Sequence, residues 1–413
     1  MSPLPPLPEK DSPAYRALTM RKPISAAVAN AARQIIDDVR QGGDEAVREL
    51  SERFDRVALQ RSVVEEDKWK QAVAGLDPAV RRALEEMARR IEAMHRAQQF
   101  HERVVEVVPG VRVWREWRPF TRVGIYAPGG RTVYPSSVLM LGVPARLAGC
   151  AEIVLCSPPQ RDGTIAPSML AAAAIGGVTE IHAVGGAQAI AALAYGTESI
   201  RRVDMIAGPG NAYVTAAKLA VYGDVAIDMP AGPSELVVIS DGTADAYWLR
   251  SDLQAQAEHS PDALSILVST SPADAKALDG VDPARVSGYL VPSLKQAVVF
   301  ANDFAPEHLM LACRQPHALL PSIHNAGSVF LGPASPAAAG DYATGANHVL
   351  PTGGTARSFG PLSVLSFGRA IQVQEIDGKS IEQVVAVTDV MAAAEALPSH
   401  GASVRHRARR AID

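Results

Sequence analysis

Four stretches decide the fold: RVGIYAPGG (122–130), EIVLCSPP (152–159), EIHAVGG (180–186) and DMIAGPG (204–210). Each is a short apolar run that ends in glycine or proline. Between them lie SSVLMLGVPARLAG (136–149), SMLAAAAIGG (168–177) and AQAIAALAYG (187–196), and NAYVTAAKLAVYG (211–223) follows. Those segments have helical length. Short strands that alternate with helices are joined by crossovers, and crossovers build a parallel sheet. The spacing therefore predicts a doubly wound α/β block over 122–235. Its Gly- and Pro-rich turns fall at the carboxyl ends of the strands, where open α/β sheets bind ligands.

Outward from this block the texture changes in both directions. Downstream, ELVVISD (235–241) opens a second block, with LRSDLQAQAEHSP (249–261) as a helix and ALSILVSTS (263–271) as a strand. That mixed pattern runs to about Phe367, and the chain then reads as helical. Upstream, apolar residues from Ile24 to about Arg103 recur at helical spacing. Gly42 and Gly43 are expected to stop the first helix there. PAVRRALEEMARRIEAMHRAQQFHERV (78–104) reads as a long amphipathic helix. The proline-rich start reads as an arm laid on the surface or on a partner.

Composition removes whole classes of function. The chain has 413 residues, 47% of them hydrophobic, which excludes general disorder. A formal net charge of −4 offers no polycation for nucleic acid. The apolar run MLAAAAIGGV (169–178) is about half of the roughly 20 residues a membrane helix needs. No apolar core of signal-peptide length is present near MSPLPPLPEK, so a soluble cytoplasmic protein is expected. Ten histidines against three cysteines predict that any metal is held by nitrogen and oxygen, in a reducing compartment.

Several motifs bear chemistry. GPGNAY (208–213) opens a helix after a strand and carries the first two glycines of a dinucleotide fingerprint, with Tyr213 in place of the third. Asp228 falls about where a ribose-binding acid would sit; the other reading is a tight structural turn. Gln188 lies in a first helical turn, as a cap or a ligand contact. Tyr126, at a strand end, either stacks on a cofactor or packs in the core. Gln256 and His259 share a helix face at i and i+3 and suit a divalent metal, or simply a polar surface. Glu307 and His308, adjacent in APEHL, suit two proton acceptors in one site. GDYATGANHVLPTGG (340–354) is a Gly-rich loop with Asp341, Tyr342 and His348. EALPSH near the end carries Glu395 and His400, or is a solvated helix end. The cysteines read as buried and inert.

Taken together, these strings resemble the histidinol dehydrogenase family over nearly the whole chain. The resemblance is carried by GIYAPGGRTVYPSSVLM, GGAQAIAALAYGTESIRRVDMIAGPGNAYV, IDMPAGPSE, QAEH, APEHL, NAGSVFLGPASPAAAGDYATGANHVLPT and EALPSHGASVRHR. It implies an α/β protein with two Rossmann-like, incomplete doubly wound domains and small helical terminal segments. The expected partition is an arm at 1–22, a discontinuous first α/β domain at 23–121 and 236–367, a second Rossmann-like domain at 122–235, and a C-terminal helical segment at 368–413 that crosses to a partner subunit. The implied activity is oxidation of L-histidinol to L-histidine through the aldehyde, with two NAD and one zinc ion, in a homodimer. Zinc ligands carry over to Gln256, His259, Asp341 and His400, and proton-transfer residues to Glu307 and His308. Substrate contacts carry over to Ser234, Gln256, His259, His308, Asp341, Glu395 and His400, with Tyr342 and His348 nearby. NAD contacts carry over to Tyr126, Gln188 and Asn211. Met205, Gly360 and Ser366 depart from the family's usual residues. The alternative is a related zinc- and NAD-dependent dehydrogenase for another small polar alcohol, such as a sulfonated diol or amino alcohol.

Overall fold

The computed structural model describes residues 3–20, 24–58, 60–129 and 132–410. Residues 1, 2, 21 and 22 of the expected arm therefore lie outside the described residues, as do Gly130 and Arg131 of the first strand-and-turn motif. The chain divides into two units, Met1–Gln98 with Phe120–Phe367, and Gln99–Pro119 with Gly368–Asp413.

The larger unit begins with helices α1 (Pro13–Thr19), α2 (Ala26–Asp55), α3 (Glu66–Gly75) and α4 (Pro78–Arg96). α2 breaks at Gly43, whose φ of 55° and ψ of −137° are open to glycine, and resumes at once. The glycine pair thus kinks the helix where a stop with a loop was expected. On α4 the buried residues Leu84, Met87, Ala88, Ile91 and His95 follow the three-and-four spacing of one face.

In chain order the smaller unit supplies β1 (Val105–Val108) and β2 (Val111–Pro119). The larger unit resumes with β3 (Arg122–Tyr126), α5 (Pro135–Ala148), β4 (Glu152–Ser157), α6 (Pro167–Gly176), β5 (Glu180–Ala183) and α7 (Gly186–Tyr195). β6 (Met205–Ala207), α8 (Ala212–Val221) and β7 (Ala226–Ile227) complete the first block. Its strands form a parallel sheet in the order β5-β4-β3-β6-β7. Strands buried on both faces need apolar side chains at every position. Ile125, Val154 and Leu155 are accordingly fully buried, each worth roughly 1.5–3 kcal/mol.

The second block holds β8 (Glu235–Ser240), α9 (Ala246–Ala257), β9 (Leu264–Ser269), β10 (Val286–Leu290), α10 (Leu294–Phe304) and β11 (His308–Ala312). It closes with α11 (Pro316–Leu319), β12 (Ser328–Leu331) and α12 (Ala337–Tyr342). Its parallel order, β10-β9-β8-β11-β12, repeats that of the first sheet. In each sheet the first strand lies between the second and the fourth, so the winding reverses there. That is the doubly wound arrangement short of its sixth strand.

The N-terminal helices pack on the first sheet's helices: α2 on α7 and α8, α3 on α6, and α4 on α5. Their expected home was with the second block. α7 is rich in alanine because it is covered by α2 on one side and the sheet on the other. The described part of the arm lies along the second sheet's edge. Leu290 N donates to Pro5 O at 2.8 Å and Leu7 N to Leu290 O at 3.0 Å, which closes that edge.

The smaller unit is an antiparallel sheet, β1-β2-β13, with β13 (Gly368–Ile376) paired along all of β2. α13 (Glu382–Ala394) and α14 (Pro398–Arg410) follow and pack on each other. Residues 99–119 therefore belong with the C-terminal segment. Among the described residues no helix is long and apolar enough to cross a membrane.

Candidate active site

Two sets of polar residues lie at sheet edges of opposite sense. Tyr126 ends β3, Gln188 sits in the first turn of α7, and Asn211 caps α8, all at the carboxyl edge of the first sheet. Glu235 opens β8 and His308 opens β11, so these lie at the amino edge of the second. The candidate residues thus sit at the carboxyl edge of one sheet and at the amino edge of the other.

At the first edge, Asn211 Oδ1 accepts from the N–H groups of Tyr213 and Val214 at 3.0 and 3.1 Å. Gly208 N donates to Asp228 Oδ2 at 2.7 Å, and Lys218 Nζ donates to Gly208 O at 2.9 Å. Lys218 and Asp228 also form an ion pair whose side chains are almost wholly buried. Asp228 is thus spent on holding the GPG turn, which is the tight structural turn of the two readings and not a ribose-binding acid. Gly208, at φ 123°, presses against the Tyr126 carbonyl and leaves no room for a side chain. Tyr126 is 3% exposed, and its hydroxyl accepts from Gly186 N at 3.2 Å. Gln188 is buried, and its Nε2 has no hydrogen-bond partner among the described residues.

At the second edge, β11 begins with a buried carboxylate and imidazole. Glu307 Oε2 accepts from Glu235 N at 2.9 Å and lies 3.5 Å from His308 Nδ1. His308 Nδ1 faces the Glu235 carbonyl at 3.3 Å. A carbonyl only accepts, so the hydrogen sits on Nδ1 and a neutral His308 keeps Nε2 bare. That atom lies 3.9 Å from Asp341 Oδ1. Burial disfavours the His308 imidazolium, but Glu307, Asp341 and the Glu235 carbonyl outweigh it and hold the pKa above the ordinary histidine value. The His308 ring lies against Phe330 with ring centroids 5.9 Å apart.

His259 repeats the pattern. α9 ends at Ala257, so His259 lies just past the helix that was expected to carry it. Its Nδ1 faces the carbonyls of Ala255 and Gln256 at 3.3 and 3.2 Å, and its Nε2 lies 3.9 Å from Asp341 Oδ2. Gln256, one turn back, is buried, and its amide nitrogen has no partner among the described residues. Two bare imidazole nitrogens around a carboxylate suit a cation, to which Gln256 adds a ligand only through its amide oxygen, the unmet Nε2 being a donor. Among the described residues no three His, Cys, Asp or Glu side chains make a metal cluster by themselves.

The loop after α12 is held by an unusual socket. Pro144 inside α5 has no N–H, so the Met140 carbonyl loses its helical donor. Asn347 Nδ2 supplies it at 2.8 Å and also lies 3.2 Å from His95 Nε2, while Asn347 Oδ1 accepts from Val349 N at 2.9 Å. This satisfied network fixes the neighbouring His348. Its Nδ1 donates to Asp341 O at 3.0 Å, and its Nε2 lies 3.2 Å from Ser137 Oγ on α5. Burial lowers the His348 pKa. The loop thereby joins the two sheet edges within one unit. Glu235 Oε1 pins its far end at Gly353 N, 3.0 Å away.

Of the other sequence candidates, Ser234 is half-buried just before β8 and Tyr342 is exposed. Glu395 and His400 belong to the smaller unit, at the end of α13 and the start of α14. Sequence reasoning missed Glu235, Asn347, Ser137 and Phe330. Only the helical Pro144 hinted that a distant donor was needed.

The fold is that of an α/β protein built on two doubly wound sheets, with titratable side chains gathered at the amino edge of the second. A sequence profile described as histidinol dehydrogenase matches residues 19–282 and 280–408. Histidinol dehydrogenase of Methanothermobacter thermautotrophicus is 45% identical over 392 residues, covering 91% of this chain and 92% of its own. That of Xanthomonas euvesicatoria pv. vesicatoria is 44% identical over 402 residues, covering 93% of each. The crystal structure of histidinol dehydrogenase from Elizabethkingia anophelis matches with a TM-score of 0.92 and 37% identity, over 98% of both chains. The chain belongs to the histidinol dehydrogenase family and is an oxidoreductase.

Proposed function

We propose that this enzyme oxidises L-histidinol to L-histidine through L-histidinal, using one zinc ion and two NAD, in the last steps of histidine biosynthesis. The observation that carries this reading is the arrangement of His259 and His308, each with Nδ1 turned to a backbone carbonyl and Nε2 left bare beside Asp341. Gln256, His259 and Asp341 hold the metal, with His400. Bound zinc supplies a positive centre that orients the substrate and polarises its oxygen, and NAD supplies the hydride acceptor for each oxidation.

His308 takes the alcohol proton at Nε2 in the first oxidation. His308 releases that proton to solvent, Glu307 deprotonates the water that adds to the aldehyde carbon, and the again neutral His308 takes a proton from the resulting hydrate. No thiol adduct is required, which agrees with three cysteines that are all buried and whose pKa values burial raises. Ser234, Glu395 and the metal-holding residues contact the substrate, and His348 and Tyr342 border it. Tyr126, Gln188 and Asn211 line the NAD site. In this reading 122–235 is the nucleotide domain, 236–367 carries the zinc and substrate groups, and 368–413 is the dimer arm. Free cysteines fit a cytoplasmic location.

The deciding experiment is an alcohol panel at fixed NAD and zinc. L-histidinol should be the best substrate and yield about two NADH per molecule consumed. A yield of one, or a better sulfonated diol or other amino alcohol, overturns the assignment.

His400 and Glu395 are proposed to act on the site of a second copy. On α13 the apolar side chains Val387, Val390 and Met391 are exposed, a surface that suits a homodimer contact. Mixing His400→Ala chains with Asp341→Ala chains should restore part of the activity that each homodimer lacks. Confirmed heterodimers that remain inactive would show that the sites are not shared.

A further inference from the structure

Asp55 is the last residue of α2, and the chain leaves it through Arg56 in a left-handed turn, φ 59°. Val57 is buried, and residues 62–64 then run antiparallel along the outer edge of β5. Ala183 N donates to Ser62 O at 2.7 Å and Val64 N to Ile181 O at 2.9 Å. Ser62 is thus level with the carboxyl end of β5, and Asp55 lies close enough to Tyr126, at the carboxyl end of β3, to act on its hydroxyl. α2 packs on α7 and α8, the helices that start from that edge.

Two buried polar atoms there are unmet. Asp55 Oδ2 and Gln188 Nε2 have no hydrogen-bond partner among the described residues. Both are tied to the start of α7. Gln188 is in its first turn, and the Tyr126 hydroxyl that accepts from Gly186 N feels the Asp55 carboxylate. Burial pushes the Tyr126 pKa up, and the Asp55 charge adds to that. Unmet buried polar atoms are uncommon and call for an occupant. One here accepts and the other donates. A sugar hydroxyl does both, so a ribose diol can donate to the carboxylate and accept from the amide.

The neighbouring helix start places the sugar. α8 begins at the GPG turn, and its positive dipole end favours a phosphate even though Asn211 takes the N–H groups of Tyr213 and Val214. α7 packs directly against α8, so its first turn is the next station along a nucleotide. The group bonded to the phosphate is the ribose. Asp228, the acid in the usual position, is closed off by Lys218 and Gly208.

We propose that Asp55 accepts a hydrogen bond from the 2′-hydroxyl of the adenosine ribose, with Gln188 donating to the same sugar, and so selects NAD over its 2′-phosphorylated form. A 2′-phosphate brings no donor and sets negative charge against a carboxylate. The inference rests on the reading that NAD binds at the carboxyl edge of the first sheet.

The test is steady-state kinetics of the full-length enzyme with Asp55→Asn. KM for NAD should rise about tenfold with kcat at saturating NAD unchanged, while KM for NADP falls. Wild type should bind 2′-deoxy-NAD about tenfold more weakly than NAD, and a second variant, Asp55→Ala, which leaves no acceptor, should bind the two alike. Asp55 is half-buried and desolvation disfavours its charge, so Asp55→Asn should have a thermal midpoint without nucleotide no lower than wild type. An unchanged KM for NAD, or full retention of the 2′-deoxy discrimination, overturns the role of Asp55. Gln188→Ala separates the two levels. If it alone raises the KM for NAD, only the Asp55 assignment fails. If neither variant moves that KM, NAD lies elsewhere and the underlying reading fails with it.

Discussion

Replacing His308 by asparagine should lower kcat by about a thousandfold, within the range typical for loss of a general base. The substitution is chosen for what it keeps. An amide at this position can still donate to the Glu235 carbonyl, which His308 Nδ1 faces at 3.3 Å. It has no bare nitrogen where Nε2 stands, 3.9 Å from Asp341. The zinc content of the purified variant, measured by atomic absorption, should match wild type, because His308 is assigned to proton transfer. Parallel loss of zinc and activity would show that its role is metal binding. Glu307→Gln gives the complementary result. The amide oxygen can keep the bond from Glu235 N that Glu307 Oε2 accepts at 2.9 Å, but it cannot take a proton from water. Turnover of L-histidinal should therefore fall much more than the first oxidation, read in single-turnover mixing. An unaffected aldehyde rate would remove Glu307 from the water step.

The second large effect is structural. Lys218→Met should destabilise the first sheet's unit by about 3–5 kcal/mol, the cost of leaving a buried carboxylate without its cation. Lys218 is 1% exposed, and its Nζ serves both Asp228 and the Gly208 carbonyl. The double variant Lys218→Met with Asp228→Asn removes both charges and keeps an acceptor for Gly208 N, which Asp228 Oδ2 binds at 2.7 Å. It should recover about half of the loss, seen as the shift in thermal midpoint. Equal midpoints for the single and double variants would show that the two charges are not coupled. The GPG turn lies directly on this pair, so the single variant should also show faster amide exchange over 205–211.

Some of this was open to reading from single residues. Gln188 was placed in a first helical turn because VGG ends a strand before it, and it lies there. Asn211 opens a helix as a cap, as its residue type favours. Adjacency alone pairs Glu307 with His308, and both are buried at one strand start. Other positions depart from their local pattern for physical reasons. Gly42 and Gly43 have the composition of a helix stop, yet packing of α2 on α7 and α8 carries the helix through the kink. Asp228 has the spacing of a ribose acid, but spacing does not reveal that Lys218 reaches it through the core. His259 matched a helical i, i+3 pair although the helix ends two residues earlier.

The sequence by itself determined the layer structure, because strands buried on both faces are written as unbroken apolar runs and their helices as alanine- and leucine-rich segments between glycines. It also determined which chemical groups are available, since ten histidines and three cysteines bias a site toward nitrogen and oxygen donors. Only the tertiary structure decided which sheet edge each group occupies. The amino edge of the second sheet meets the carboxyl edge of the first through Asn347, seated on the carbonyl that Pro144 leaves free, and through His348 on Ser137. Such contacts span about two hundred residues of chain and depend on unmet donors and acceptors, which a local pattern does not record. The same is true of the hydrogen positions on His259 and His308. A bare Nε2 follows from the carbonyl that faces Nδ1, and that carbonyl is placed by the fold.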